Sequence, residues 1–208
     1  MTIKDYHELS SLELDTLKEV GSIGTGNAAT ALSQMLGRVV RIEQPEVRIM
    51  EYNEAIEWIG GPEEITAGVL VKLSKQLNGI MLSVQPLLFV NIVLESIMGR
   101  TVSDYSELTE MDHSALVEVG NIMISTFINA LSGLAGMDID LTVPAFTVDM
   151  QGAILAVPMA EYGGQSNYIM TIGGNFVSEN KQVPCRLLMS PDLRSLNALL
   201  RKLGVSND

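Results

Sequence analysis

The chain has 208 residues, 47% of them apolar and only 18% charged, with a net charge of −12. That apolar content excludes a disordered acidic chain, and the length allows a substantial buried core. The acidic balance argues against nucleic acid, whose phosphates need a basic surface, and against an anionic membrane surface.

The first ten residues, MTIKDYHELS, have no apolar run behind a basic start, so no secretory signal is expected. A helix should follow. Ser10 with Glu13 has the spacing of a capping box, and apolar positions then recur at Leu17, Val20, Ala28, Ala31 and Met35. Gly37 is placed to end it. Four β-type runs come next, VVRI, EVRIM, TAGVLVKL and GIMLSV. Residues 79–99 are apolar enough to be mistaken for a membrane span, but Ser83, Gln85, Pro86, Asn91 and Glu95 interrupt them. They read as a strand running into a helix.

A polar connection, RTVSDYSELTE, leads to a second helix with a capping box at Thr109 and Asp112 and an end near Gly136. The runs IDLTV, AFTVDM, AILAVPMAEY, NYIMTIGGNFV and CRLLMS follow as strands, and DLRSLNALLRKLG closes the chain as a helix. The lone Cys185 rules out an internal disulfide and suits a reducing compartment. One cysteine and two distant histidines argue against a metal site, and His7 and His113 read as surface residues. A cytoplasmic protein without membrane insertion is expected.

Shifted by 99 residues, the chain overlies itself. Glu19, Val20 and Gly21 fall on Glu118, Val119 and Gly120, Ala31-Leu32-Ser33 on Ala130-Leu131-Ser132, and Pro45 on Pro144. A shift of 105 then puts Pro86 on Pro191 and Gly99 on Gly204, which implies an insertion of six residues in the second copy. The expected architecture is an α+β fold, internally duplicated, in one domain over 1–208. Repeat A covers about 8–100 and repeat B about 107–208, related by a pseudo-two-fold. The copies share one β-sheet, and two long amphipathic helices carry the sites.

The glycine-rich GSIGTGN, residues 21–27, suggests a phosphate loop, but such a loop needs a strand before it and a helix after it. Here a capped helix is already under way, so the glycines read as small residues that permit close approach of another backbone. What persists between the copies is an acid followed three residues later by a polar residue. Glu118 and Asn121 share one helical face with Ser114 and Ser125; Glu19 and Ser22 share theirs with Asp15 and Gly26. From spacing alone this could be a solvated helix face. The recurrence at one phase, with a proline following at one interval, favours a site.

At these residues the chain resembles the chemotaxis phosphatases of the CheC, CheX and FliY group. Their signature is Asp or Ser, three residues, Glu, two residues, Asn, then twenty-two residues and Pro. Repeat B fits it through Ser114, Glu118, Asn121 and Pro144; repeat A supplies Asp15, Glu19 and Pro45, with Ser22 where the family has Asn. The duplication and the GNAATALS continuation make it look most like the CheC type. The resemblance implies hydrolysis of the phospho-aspartate of a CheY-type receiver domain, with Asn121 orienting water and Glu118 docking on the receiver's lysine. Glu19 and Ser22 become a degenerate first site, and Asp15, Ser114, Pro45 and Pro144 support the two sites. No cofactor is implied in this chain; Mg²⁺ belongs to the receiver. The family also implies a CheD deamidase partner, with Asp149 in TVDMQGA as a candidate contact at a hairpin turn. A monomer is expected, because duplication already covers the surface that a single-copy relative would bury. The rival readings are a non-enzymatic receiver- or CheD-binding adaptor related to flagellar switch proteins, and a small-molecule sensor, which no residue supports.

Overall fold

The computed structural model describes residues 3–164, 166–178 and 181–206, without the Cys185 side chain. Both capping boxes form. The Ser10 N–H donates to Glu13 Oε2 at 2.8 Å and that of Thr109 to Asp112 Oδ2 at 2.8 Å, and each cap hydroxyl accepts the return bond from the third helical residue. Helices α1 (Ser11–Leu36) and α4 (Glu110–Ala135) follow, 26 residues each. They end at Gly37 and Gly136, whose φ values of 63° and 60° are left-handed and favour glycine. The repeat begins earlier than the sequence reading placed it. Matching 3-10 turns at Tyr6–Glu8 and Tyr105–Glu107 precede the helices, capped by Asp5 and Asp104. Tyr6 donates its hydroxyl to the Pro191 carbonyl at 2.6 Å and Tyr105 to the Gln85 carbonyl at 3.0 Å, so each turn anchors on the last residue of a strand from the other copy.

Among the described residues the strands are β1 (Val40–Glu51), β2 (Ile65–Lys75), β3 (Gly79–Gln85), β4 (Ile139–Leu141), β5 (Ala145–Met150), β6 (Tyr168–Ser178) and β7 (Lys181–Pro191). They form one antiparallel sheet in the order β1-β6-β7-β3-β2-β4, with β5 also paired to β2. The copies exchange edges: β1 of repeat A lies on β6 of repeat B, and β5 of repeat B lies on β2 of repeat A. At the centre β3 meets its own counterpart. The pairs Leu82–Leu188 and Ser83–Leu187 map onto each other under the shift of 105, so the pseudo-two-fold passes between them.

Helices α1 and α4 pack side by side on one face of the sheet, with α3 (Leu87–Met98) and α6 (Leu193–Lys202) around them. Helices α2 (Tyr52–Ile59) and α5 (Gln151–Tyr162) cover part of the other face, over Leu82, Val84, Ile169 and Leu188. Helix α4 is the one described helix long and apolar enough to cross a membrane; here its apolar face, through Leu116, Met123 and Phe127, is core. Residues 79–99 form β3 and α3, as read.

Several sequence expectations need correction. The run AILAVPMAEY is helix, not strand, because its buried positions Ile154, Leu155 and Pro158 keep a helical spacing that the proline obscured. Helix α2 was missed altogether; it is short, and its own cap comes from Glu51 and Glu54. VVRI and EVRIM belong to a single strand, β1, broken by an irregularity between Glu43 and Glu46. The insertion in repeat B is largely a longer helix, 12 residues in α5 against 8 in α2.

Candidate functional site

The repeated Glu-Val-Gly has a structural explanation at each position. Val20 and Val119 point into the core, and Gly21 and Gly120 rest on the sheet. A methyl group on Gly120 would sit 2.6 Å from Val69 and 2.9 Å from the Gln85 side-chain amide; one on Gly21 would collide with Val47. The glycines therefore seat the two helices, and they do so against side chains rather than backbone, a correction to the sequence reading. Gly24 serves the helix pair in the same way, facing the Phe127 ring of α4, while nothing lies near Gly26.

With valine and glycine turned inward, the glutamate that precedes them turns outward. Glu118 is exposed and Asn121 half-buried on the outer face of α4, one turn apart and so separated by about 4.5 Å along the axis. Among the described residues neither side chain makes a hydrogen bond or ion pair, and both are free to meet a partner. Ser114, exposed on the same arc, donates back to the Glu110 carbonyl at 2.9 Å. On α1 the arc carries Asp15, Glu19, Ser22 and Gly26, all exposed. Asp15 is engaged with Lys18 at 2.9 Å, while Glu19 and Ser22 offer free side chains. Helix α4 contains no lysine or arginine, so its outer surface presents negative charge alone.

The prolines lie away from these carboxylates in sequence but at matching places in the sheet. Pro45 falls in the irregularity of β1, and Pro144 falls between β4 and β5, where the opposite edge strand breaks. In each case the edge strand has one residue more than its partner, and proline, which has no N–H, fits that gap in the ladder. Thr142 closes the break in repeat B, exchanging 3.0 Å bonds with Lys72 through its N–H and its hydroxyl.

Asp149 is exposed near the end of β5, which runs directly into α5, so no hairpin turn lies there. It borders an apolar groove of about 300 Å³ between β5 and α5, lined by Leu70, Phe146, Ile154 and Val157. His7 is exposed, 3.0 Å from Asp5, and His113 is half-buried with its ring 5.0 Å from that of Phe146. Among the described residues no three His, Cys, Asp or Glu side chains gather as metal ligands.

The CheC-like family matches this chain twice, over residues 12–49 and again over 111–148, windows offset by the same 99 residues as the internal repeat. Both repeats are thus similar to the CheC-like family. It is 26% identical over 97% of its length, and 98% of the relative's, to the Bacillus subtilis CheY-P phosphatase CheC. It is 27% identical over 68% of its length to the flagellar motor switch phosphatase FliY of the same organism, spanning 37% of that longer protein. The fold extends to solved structures. Thermotoga maritima FliY superposes with a TM-score of 0.73 at 22% identity, over 95% of this chain and 98% of that one. The middle domain of FliM from H. pylori gives 0.66 at 12%, over 93% and 99%. CheX in the CheX-CheY-BeF3-Mg complex from Borrelia burgdorferi gives 0.53 at 17%, over 86% and 99%.

Proposed function

We propose that this chain is a phosphatase that hydrolyses the phospho-aspartate of a CheY-type receiver domain in chemotaxis signalling. The observation that carries the reading is the pair Glu118 and Asn121, both unpartnered and both facing outward on a helix similar to the CheC-like family. The names of the relatives support it, and so does the fold shared with a protein crystallised together with CheY.

The chemistry asks little of the enzyme. An acyl phosphate is already reactive, and the receiver brings its own Mg²⁺ and lysine, so no metal is taken from this chain. The missing element is a water held in line with the phosphorus. The Asn121 carboxamide can accept a hydrogen bond from that water and donate one to the phosphoryl group without changing charge. Glu118 pairs with the receiver's lysine and sets the register of docking. Ser114 and Pro144 support this site from the helix and the sheet edge. In repeat A, Glu19 docks but the shorter Ser22 holds water less well, so this site, with Asp15 and Pro45, is the weaker.

The reading includes a protein that acts as one unit across both repeats, as a monomer in the cytoplasm. A CheD-type partner would engage at Asp149, beside its apolar groove; Asp149→Lys should abolish that binding.

Phosphate release from a phosphorylated receiver, with this chain at substoichiometric amounts, tests the activity. Asn121→Ala should lower kcat about a hundredfold, the range for loss of one positioned hydrogen-bonding group. Turnover unchanged by Asn121→Ala would move the chemistry to Glu19 and Ser22. Binding of the phosphorylated receiver with no turnover would leave an adaptor, the reading favoured by the fold shared with FliM middle domains.

A further inference from the structure

Both site helices begin with an exposed apolar residue at the same position. Met111 on α4 is 70% exposed and Leu12 on α1 is 63% exposed, and the shift of 99 superposes them. Each is the second residue of its helix, held between the cap and the third-position acid of a capping box. The backbone that presents it is therefore fixed before any partner arrives. Their core-facing neighbours Leu17 and Leu116 are buried, so neither exposed side chain substitutes for a core contact.

At 100° per residue, Met111, Ser114, Glu118, Asn121 and Ser125 lie within one quarter of the helix circumference. Met111 stands about 10 Å along the axis from Glu118, on the side away from Asn121. Leu12 stands in the same relation to Glu19. An isolated apolar residue on a surface is ordinary. One repeated at the same helical position, on the same arc and at the same distance from the docking acid in two otherwise divergent copies, is a feature of the site.

We infer that Met111, and Leu12 in the weaker copy, are apolar anchors that seat the phosphorylated receiver on the helix and determine how tightly it docks. The inference rests on the phosphatase reading and extends it. Glu118 supplies the charge contact, Asn121 the reacting geometry, and Met111 the apolar surface that water leaves when the complex forms. Receiver binding by an acidic helix alone would weaken steeply with salt; an apolar anchor preserves it. The role is positioning: Met111 lies too far from Asn121 to touch the water.

The test is steady-state phosphate release across receiver concentrations for Met111→Gln, which keeps length and helix propensity. KM should rise about fivefold to tenfold with kcat unchanged, the effect of losing one buried apolar contact. Leu134→Gln removes an exposed apolar residue on α4 outside the arc and should leave KM unchanged. A direct measurement of binding to the beryllofluoride-loaded receiver separates the two readings. If the wild-type chain binds but does not turn over, weaker binding by Met111→Gln upholds the anchor while the phosphatase reading falls. KM and binding unaltered by Met111→Gln, or altered as much by Leu134→Gln, overturn the anchor. A wild-type chain that neither binds nor turns over the receiver overturns both.

Discussion

Gly120 and Gly26 are both helical glycines, and their surroundings give them opposite roles. A methyl group on Gly120 meets Val69 and Gln85 in the body of the sheet, so Gly120→Ala must lift α4 or displace β2. The expected cost is about 1–3 kcal/mol, the range for overpacking a filled core. Around Gly26 there is open space, so Gly26→Ala should stabilise the protein by about 1 kcal/mol through helix propensity. Urea unfolding of the two variants checks both signs. The sequence marked these glycines as helical but could not rank them. Spacing along one helix says nothing of what lies against it.

The capping box of α4 makes an element-scale prediction about pH. Asp112 is fully buried, and burial by itself would raise its carboxyl. Hydrogen bonds from the Thr109 N–H and hydroxyl, with the Arg100 guanidinium at 3.1 Å, outweigh that and hold it below the ordinary value. A carboxyl depressed in the folded state contributes stability that is fully present above its unfolded pKa of about 3.9. That contribution is lost as pH falls through the lower folded value. Asp112→Asn should cost about 1 kcal/mol at neutral pH, typical of a lost cap, and should flatten the decline of stability below about pH 4. Thermal unfolding from pH 7 to pH 3 checks it. Both caps were legible because they are local, written in four consecutive residues. Helix α5 was not, since Pro158 and an unbroken apolar run hide a helical spacing that only the sheet beneath it makes visible.

At the scale of the molecule, exchange of edge strands means that neither repeat completes a sheet of its own. Repeat A supplies β1 to β6 and takes β5 on β2, and β3 and β7 join at the pseudo-two-fold. Fragments 1–103 and 104–208 should each lack a cooperative unfolding transition as monomers, and a mixture of the two should recover one. Calorimetry or size-exclusion chromatography of the separate and mixed fragments would decide. Cooperative unfolding of either fragment as a monomer would contradict the shared sheet as the source of stability. The same arrangement puts α1 and α4 side by side, so both candidate sites face away from the sheet on a common helical layer.

Within the sequence alone lay the duplication, the two capped helices, the outward phase of Glu118 with Asn121 and of Glu19 with Ser22, and the recurrence of Pro45 and Pro144. Each of these is a matter of period and spacing along one chain, and identical local patterns fold to identical local geometry. The tertiary structure alone decided what the prolines do, since an edge-strand break exists only once a partner strand is counted against it. It also decided why Gly21 and Gly120 recur, and that Leu12 and Met111 stay exposed rather than entering the core. Those properties depend on which residues the tertiary packing brings together, some within one copy, as Gly21 on Val47, and some between copies, as Gly120 on Val69.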